Sequence, residues 1–133
     1  MLKTKRNKVL QILDWCQNNF GKSKGLQFPK LRLYKSKGTS ICRNGSYGCY
    51  YYDSNTISIF LGPHRSNPSL CDTILHEYKH YLLGDEKYNK IFNKLKRNGW
   101  SEQKILLIHP HEKICDKFAA DHDPQCYQEV FKK

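Results

Sequence analysis

Residues 69–84 read Ser69-Leu70-Cys71-Asp72-Thr73-Ile74-Leu75-His76-Glu77-Tyr78-Lys79-His80-Tyr81-Leu82-Leu83-Gly84, and the fold is read outward from them. Ile74, Leu75, Tyr78 and Leu82 recur at helical spacing. Asn67-Pro68 or Ser69 offers a start, with Ser69-x-x-Asp72 resembling a capping box. Gly84 supplies a stop. Inside this helix lies His76-Glu77-Tyr78-Lys79-His80, an H-E-x-x-H pattern beside the apolar stripe. On a helix, residues four apart stack with roughly 5–6 Å between Cβ atoms. Two imidazoles so placed can close on one Zn2+ at about 2.0–2.1 Å per bond. Glu77 borders the same face without competing for the metal, where it can take a proton from an activated water.

Two histidines do not complete such a site; a third protein ligand is needed. The extended motif, with a third His ten residues after the first, fails because that position is Glu86 and its Gly position is Leu83. The ligand must come from elsewhere in the chain. Pro110 can open a helix carrying His111, Glu112, Asp116, Phe118, Ala119 and Ala120. Glu112 and Asp116 are four apart on one face. Glu112 is the leading candidate for the third ligand, with His111, His109, Asp116 and Asp85 as rivals. Asp116 can accept the outer N–H of His76 or His80 and so fix the ring. Ala119 and Ala120 would let this helix approach the first closely. His109, His111 and the tyrosines of Tyr47–Tyr52 are candidates for stabilising an oxyanion.

The remaining chain predicts an α+β domain. Residues 4–19 form an amphipathic helix (Val9, Ile12, Leu13, Cys16, Phe20) ended by Gly21. Leu31–Ser36 alternates as a half-buried strand and Gly38 breaks it. Ile41 and Cys42 lead into Asn44-Gly45, a hairpin signal. Tyr47–Tyr52 and Thr56–Leu61 are strands around a turn at Asp53-Ser54-Asn55. The expectation is a small, mostly antiparallel sheet of three to four strands. Either of the last two strands could be an edge able to pair with an extended peptide. Asp85–Arg97 and the segment from Ser101 to Ile108 follow as helices, and His109-Pro110 ends the latter.

At 133 residues the chain is expected to be one domain, 1–133, with a modest core (38% hydrophobic). No run is long and apolar enough to span a membrane. The basic stretch Met1–Lys8 precedes an amphipathic segment rather than a signal-peptide core, which predicts a cytoplasmic protein. Six cysteines are then expected as free thiols, although Cys42 and Cys49 flank the Asn44-Gly45 turn and could lie close together in a hairpin. A net charge of +11 favours polyanions or acidic partners, including proximity to nucleic acid, although no nucleic-acid motif accompanies it.

His76-Glu77-x-x-His80 with Glu112-x-x-x-Asp116-x-Phe118-Ala119-Ala120 resembles the minimal gluzincin-type metallopeptidases. It is most similar to the ImmA/IrrE-like group and its small phage-encoded members, with SprT-like proteases second. The resemblance covers about Thr56 to His122. It departs at Cys115, where the family often has Ala, and at Tyr78-Lys79, where small apolar residues are usual. It implies a zincin-like fold and a zinc-dependent endopeptidase with Glu77 as general base. It further implies a protein or peptide substrate, such as a regulatory or DNA-bound protein, met in the host cytoplasm if the gene is a phage's. Two other classes fit the same residues. One is a non-catalytic binding module that keeps the zincin fold. The other is a basic nucleic-acid-associated protein whose histidines are incidental.

Overall fold

The computed structural model describes residues 2–36, 47–64, 66–84 and 86–132. The expected break at Gly38, the Asn44-Gly45 turn, Ile41, Cys42 and Asp85 lie outside them. Among the described residues the fold is α+β: helices α1 (Leu2–Phe20), α2 (Asn67–Leu83), α3 (Glu86–Arg97), α4 (Glu102–Ile108) and α5 (Pro110–Phe131), with strands β1 (Lys30–Tyr34), β2 (Gly48–Tyr51) and β3 (Thr56–Phe60).

The sheet differs from a simple meander. Its order is β1-β3-β2, with β2 antiparallel and β1 parallel to β3. The turn from Tyr52 to Asn55 returns the chain antiparallel along β2. Asn55 takes φ 51° there, a left-handed conformation that Asn tolerates better than most residues. Its side chain is tied at both ends, accepting from the Tyr50 hydroxyl (2.6 Å) and donating to the Gln27 carbonyl (3.1 Å). Because β3 lies between two strands and under a helix, all five of its residues are buried. Its Ser58 and Phe60 face is therefore covered as well as its Ile57 and Ile59 face.

The core gathers one stripe each from α1, α2 and α5 around this sheet. Val9, Ile12 and Cys16 of α1, Ile57 and Ile59 of β3, and Ile74, Leu75 and Tyr78 of α2 all join it. Ala119 and Cys126 of α5 complete it. Burial of each large side chain contributes about 1.5–3 kcal/mol. Tyr78 and Tyr81 are fully buried yet satisfied, since Tyr78 donates to the Gly21 carbonyl and Tyr81 to the Gln27 carbonyl. They thereby pin the loop after α1.

α2 is central and packs most extensively on α5. Its cap is Ser66, whose hydroxyl accepts from the Ser69 N–H; the helix thus starts at Asn67-Pro68, the first of the two expected starts, and not at the Ser69 box. The Ser69 hydroxyl instead lies 2.7 Å from Nδ1 of buried His64. Gly84 ends the helix at φ 80°. The sheet sits close on this helix at Gly48, where a Cβ would come 2.8 Å from Thr73 Cγ2. α5 runs on through Pro124 to Phe131, a stretch whose sequence gave no signal. Ala119 is buried against α2 whereas Ala120 is exposed, so one small residue, not two, sets the approach.

Candidate metal centre

The α2–α5 contact brings the motif and the downstream carboxylate together. His76, Glu77 and His80 project from α2, and Glu112 from the first turn of α5; all four are buried. Glu112 Oε1 lies 3.0 Å from His76 Nε2 and 3.0 Å from His80 Nε2. One oxygen thus meets both ring nitrogens, though the residues are 36 and 32 positions apart. Ligands held tetrahedrally at zinc distances stand about 3.3–3.4 Å apart. The observed 3.0 Å contacts are within a few tenths of an ångström of that spacing.

The outer atoms are also engaged. His80 Nδ1 lies 3.1 Å from the Tyr52 hydroxyl, and the Tyr88 hydroxyl donates to Glu112 Oε2 at 3.0 Å. His76 Nδ1 lies 3.0 Å from Asp116 Oδ1, but off the direction of a formed hydrogen bond, so that buried nitrogen is unsatisfied. A metal on Nε2 would fix the proton on Nδ1 and make this approach a donor–carboxylate pair. Sequence reasoning placed Asp116 on one of the two histidines; the structure brings it to His76, with Tyr52 serving His80.

The electrostatics follow from this crowding. Burial alone would lower the His76 imidazole, but Glu77, Glu112 and Asp116 outweigh it and hold it up at about 9. Burial would raise Glu112, yet the hydrogen bonds from His76 and His80 keep its carboxyl well below the usual range. Burial pushes Glu77 up, partly offset by the two imidazoles. Burial likewise raises Tyr52 and Tyr88, keeping both hydroxyls protonated.

A cleft of about 380 Å³ opens onto this cluster, lined by Tyr50, Tyr52, Glu77, His80, Tyr88 and Glu112 among others. Its far wall is α3, an amphipathic helix with no fully buried residue, which turns Tyr88 and Phe92 inward and its lysines outward. Lys79 of the motif leaves the cleft, with its Nζ 5.0 Å above the Phe118 ring.

The two histidines among the oxyanion candidates are placed differently from each other. His109 is the cap of α5: its Nδ1 accepts the His111 N–H and its Nε2 lies 3.0 Å from the Tyr88 carbonyl. Both nitrogens are occupied, and the ring stacks on Tyr88 at 4.0 Å. His111 is buried with Nδ1 unsatisfied. Neither lines the cleft.

Sequence reasoning missed two contributors. Tyr88 gave no signal, since a Tyr on an amphipathic helix reads as an apolar-face residue. Cys115 is the other. His76, His80 and Cys115 form a buried group whose ligand atoms lie within 4.8 Å of one another, and it could hold a metal ion. Its signal was the one-turn spacing after Glu112. Free thiols occur at Cys16, Cys71, Cys115 and Cys126. Cys49 is disulfide-bonded, so the expectation of free thiols fails there. Among the described residues no helix is long and apolar enough to cross a membrane. In comparisons with known proteins, no protein-family model, no curated protein and no solved structure matched the chain.

Proposed function

We propose that this chain is a zinc-dependent endopeptidase of the gluzincin type, resembling the ImmA/IrrE-like group. The observation that carries the reading is the meeting of two α2 imidazoles and the α5 carboxylate of Glu112 at 3.0 Å each, with Glu77 on the wall of an open cleft. His76, His80 and Glu112 would hold the metal. When bound, Zn2+ supplies the charge that acidifies an attacking water and polarises a scissile carbonyl. Glu77 takes the water's proton and passes it to the leaving amine. Burial raises its carboxyl above the ordinary glutamate value, which makes it a stronger base. Tyr52 holds the His80 ring. Tyr88 stands at the cleft wall, and its hydroxyl, donating to Glu112 Oε2, orients the carboxylate that would hold the metal. The cleft has room for a peptide segment, and the basic surface suits a substrate that is acidic or bound to DNA.

One observation favours a second reading, a metal-holding zincin-fold module without catalysis. Cys115 adds a thiol to the donor set, and four protein donors are the mark of structural zinc sites. Two variants separate the possibilities. Stoichiometric zinc lost in His76→Ala removes the third class, a basic protein with incidental histidines. Peptidase activity on an unstructured protein substrate, abolished in Glu77→Gln with zinc retained, supports the enzyme. Zinc retained without activity in either wild type or variant, across acidic and basic substrates, sinks it in favour of the module.

A further inference from the structure

We infer that Cys115 is itself a ligand to the metal, so that the resting centre carries four protein donors: His76, His80, Glu112 and the Cys115 thiolate. The inference rests on the metal reading proposed above. It begins from position. Cys115 follows Glu112 by three residues on α5, so both side chains issue from one face, a turn apart. Its Sγ and the donor atoms of His76 and His80 lie within 4.8 Å of one another, and the residue is fully buried. At zinc distances of about 2.3 Å to sulfur and 2.0–2.1 Å to nitrogen, tetrahedral S···N separations are about 3.5 Å. The thiol must therefore close in on the two imidazoles, while Glu112 joins the same centre through its own 3.0 Å contacts to both rings.

The direction of approach matters as much. Glu77, His80 and Glu112 line the cleft, whereas His76 and Cys115 do not. The thiol thus reaches the centre from the protein side, opposite the entry for solvent. Cys16, Cys71 and Cys126, by contrast, belong to the hydrophobic core cluster, and Cys115 does not. Binding would form one metal–sulfur bond and release the thiol proton to solvent, with no oxidant or reductant involved. The consequence is selectivity and restraint. A thiolate favours zinc or cobalt over magnesium, calcium or manganese. A full shell of four also obliges water to displace a ligand or raise the coordination number, so the resting centre is held back rather than open.

Cobalt substitution tests this without reference to activity. The purified full chain is stripped of metal and titrated with Co2+. The expected result is one Co2+ per chain, visible ligand-field bands, and an intense thiolate-to-cobalt charge-transfer band in the near ultraviolet. Cys115→Ser should lose that band, keep the visible bands and bind Co2+ at least tenfold more weakly. Cys71→Ser should leave the band in place. One bound Co2+ without the band in wild type overturns the role of Cys115 and leaves the histidine–glutamate centre standing, even if the serine variant does not fold. The band persisting in Cys115→Ser also overturns it. Failure of wild type to bind Co2+ overturns this inference and the metal reading together.

Discussion

Replacing Glu112 by Gln keeps the side chain's shape and removes the charge that two buried imidazoles share. Glu112 is 1% exposed and accepts from His76, His80 and Tyr88. Removing one partner of a buried pair costs about 3–5 kcal/mol, because the other charge stays buried without compensation. The charge left behind is His76, whose imidazole is held up at about 9 and which keeps Glu77 and Asp116 beside it. At this chain length each kcal/mol shifts the melting temperature by about 3–5 °C, so the variant is expected to melt about 10–20 °C lower in a chelator. Zinc should raise the wild-type midpoint, by about 2.7 kcal/mol of added stability at a free concentration a hundred times Kd. It should raise the variant's much less. The assay is thermal unfolding followed by circular dichroism, with and without zinc, alongside bound-metal analysis. A metal-free Glu112→Gln protein melting within about 3 °C of wild type would refute the claim that this carboxylate joins the two histidines.

Two more outcomes follow from the same cluster. The His76 imidazole has a folded pKa of about 9 against an ordinary 6.5, so its stabilisation is complete below pH 6.5 and is lost as pH rises through about 9. Metal-free protein should therefore weaken by about 3 kcal/mol across that window. Glu112, held below its ordinary value, acts oppositely and is lost only toward strong acid. The two shifts describe one interaction, so they are not added. Urea midpoints in a chelator check the window, and a flat profile from 6.5 to 9 would sink the account of His76. Tyr52→Phe keeps the ring and removes the hydroxyl 3.1 Å from His80 Nδ1. Zinc affinity, measured by competition with a chromophoric chelator, should fall about 10–100-fold. An unchanged affinity would show that Tyr52 does not orient that ring.

Local pattern alone determined the helix that presents His76, Glu77 and His80, the stop at Gly84 and the capped start of α4 at Ser101. These rest on interactions within a few residues, which spacing and capping chemistry encode directly. The downstream carboxylate was legible only as one choice among several, because ligand requirements name a residue type and not a place in space. Tertiary structure decided the rest. Docking α5 along α2 through Ala119 carries Glu112 to both imidazoles, Asp116 to His76 and Cys115 to the buried side. The same docking leaves His109 as a helix cap, its two nitrogens already occupied. Parallel pairing of β1 with β3 and the folding of Tyr88 over the cleft depend on contacts between residues about 25 positions apart. No periodicity records such contacts, since it reports only which face of an element is apolar and not what that face will meet.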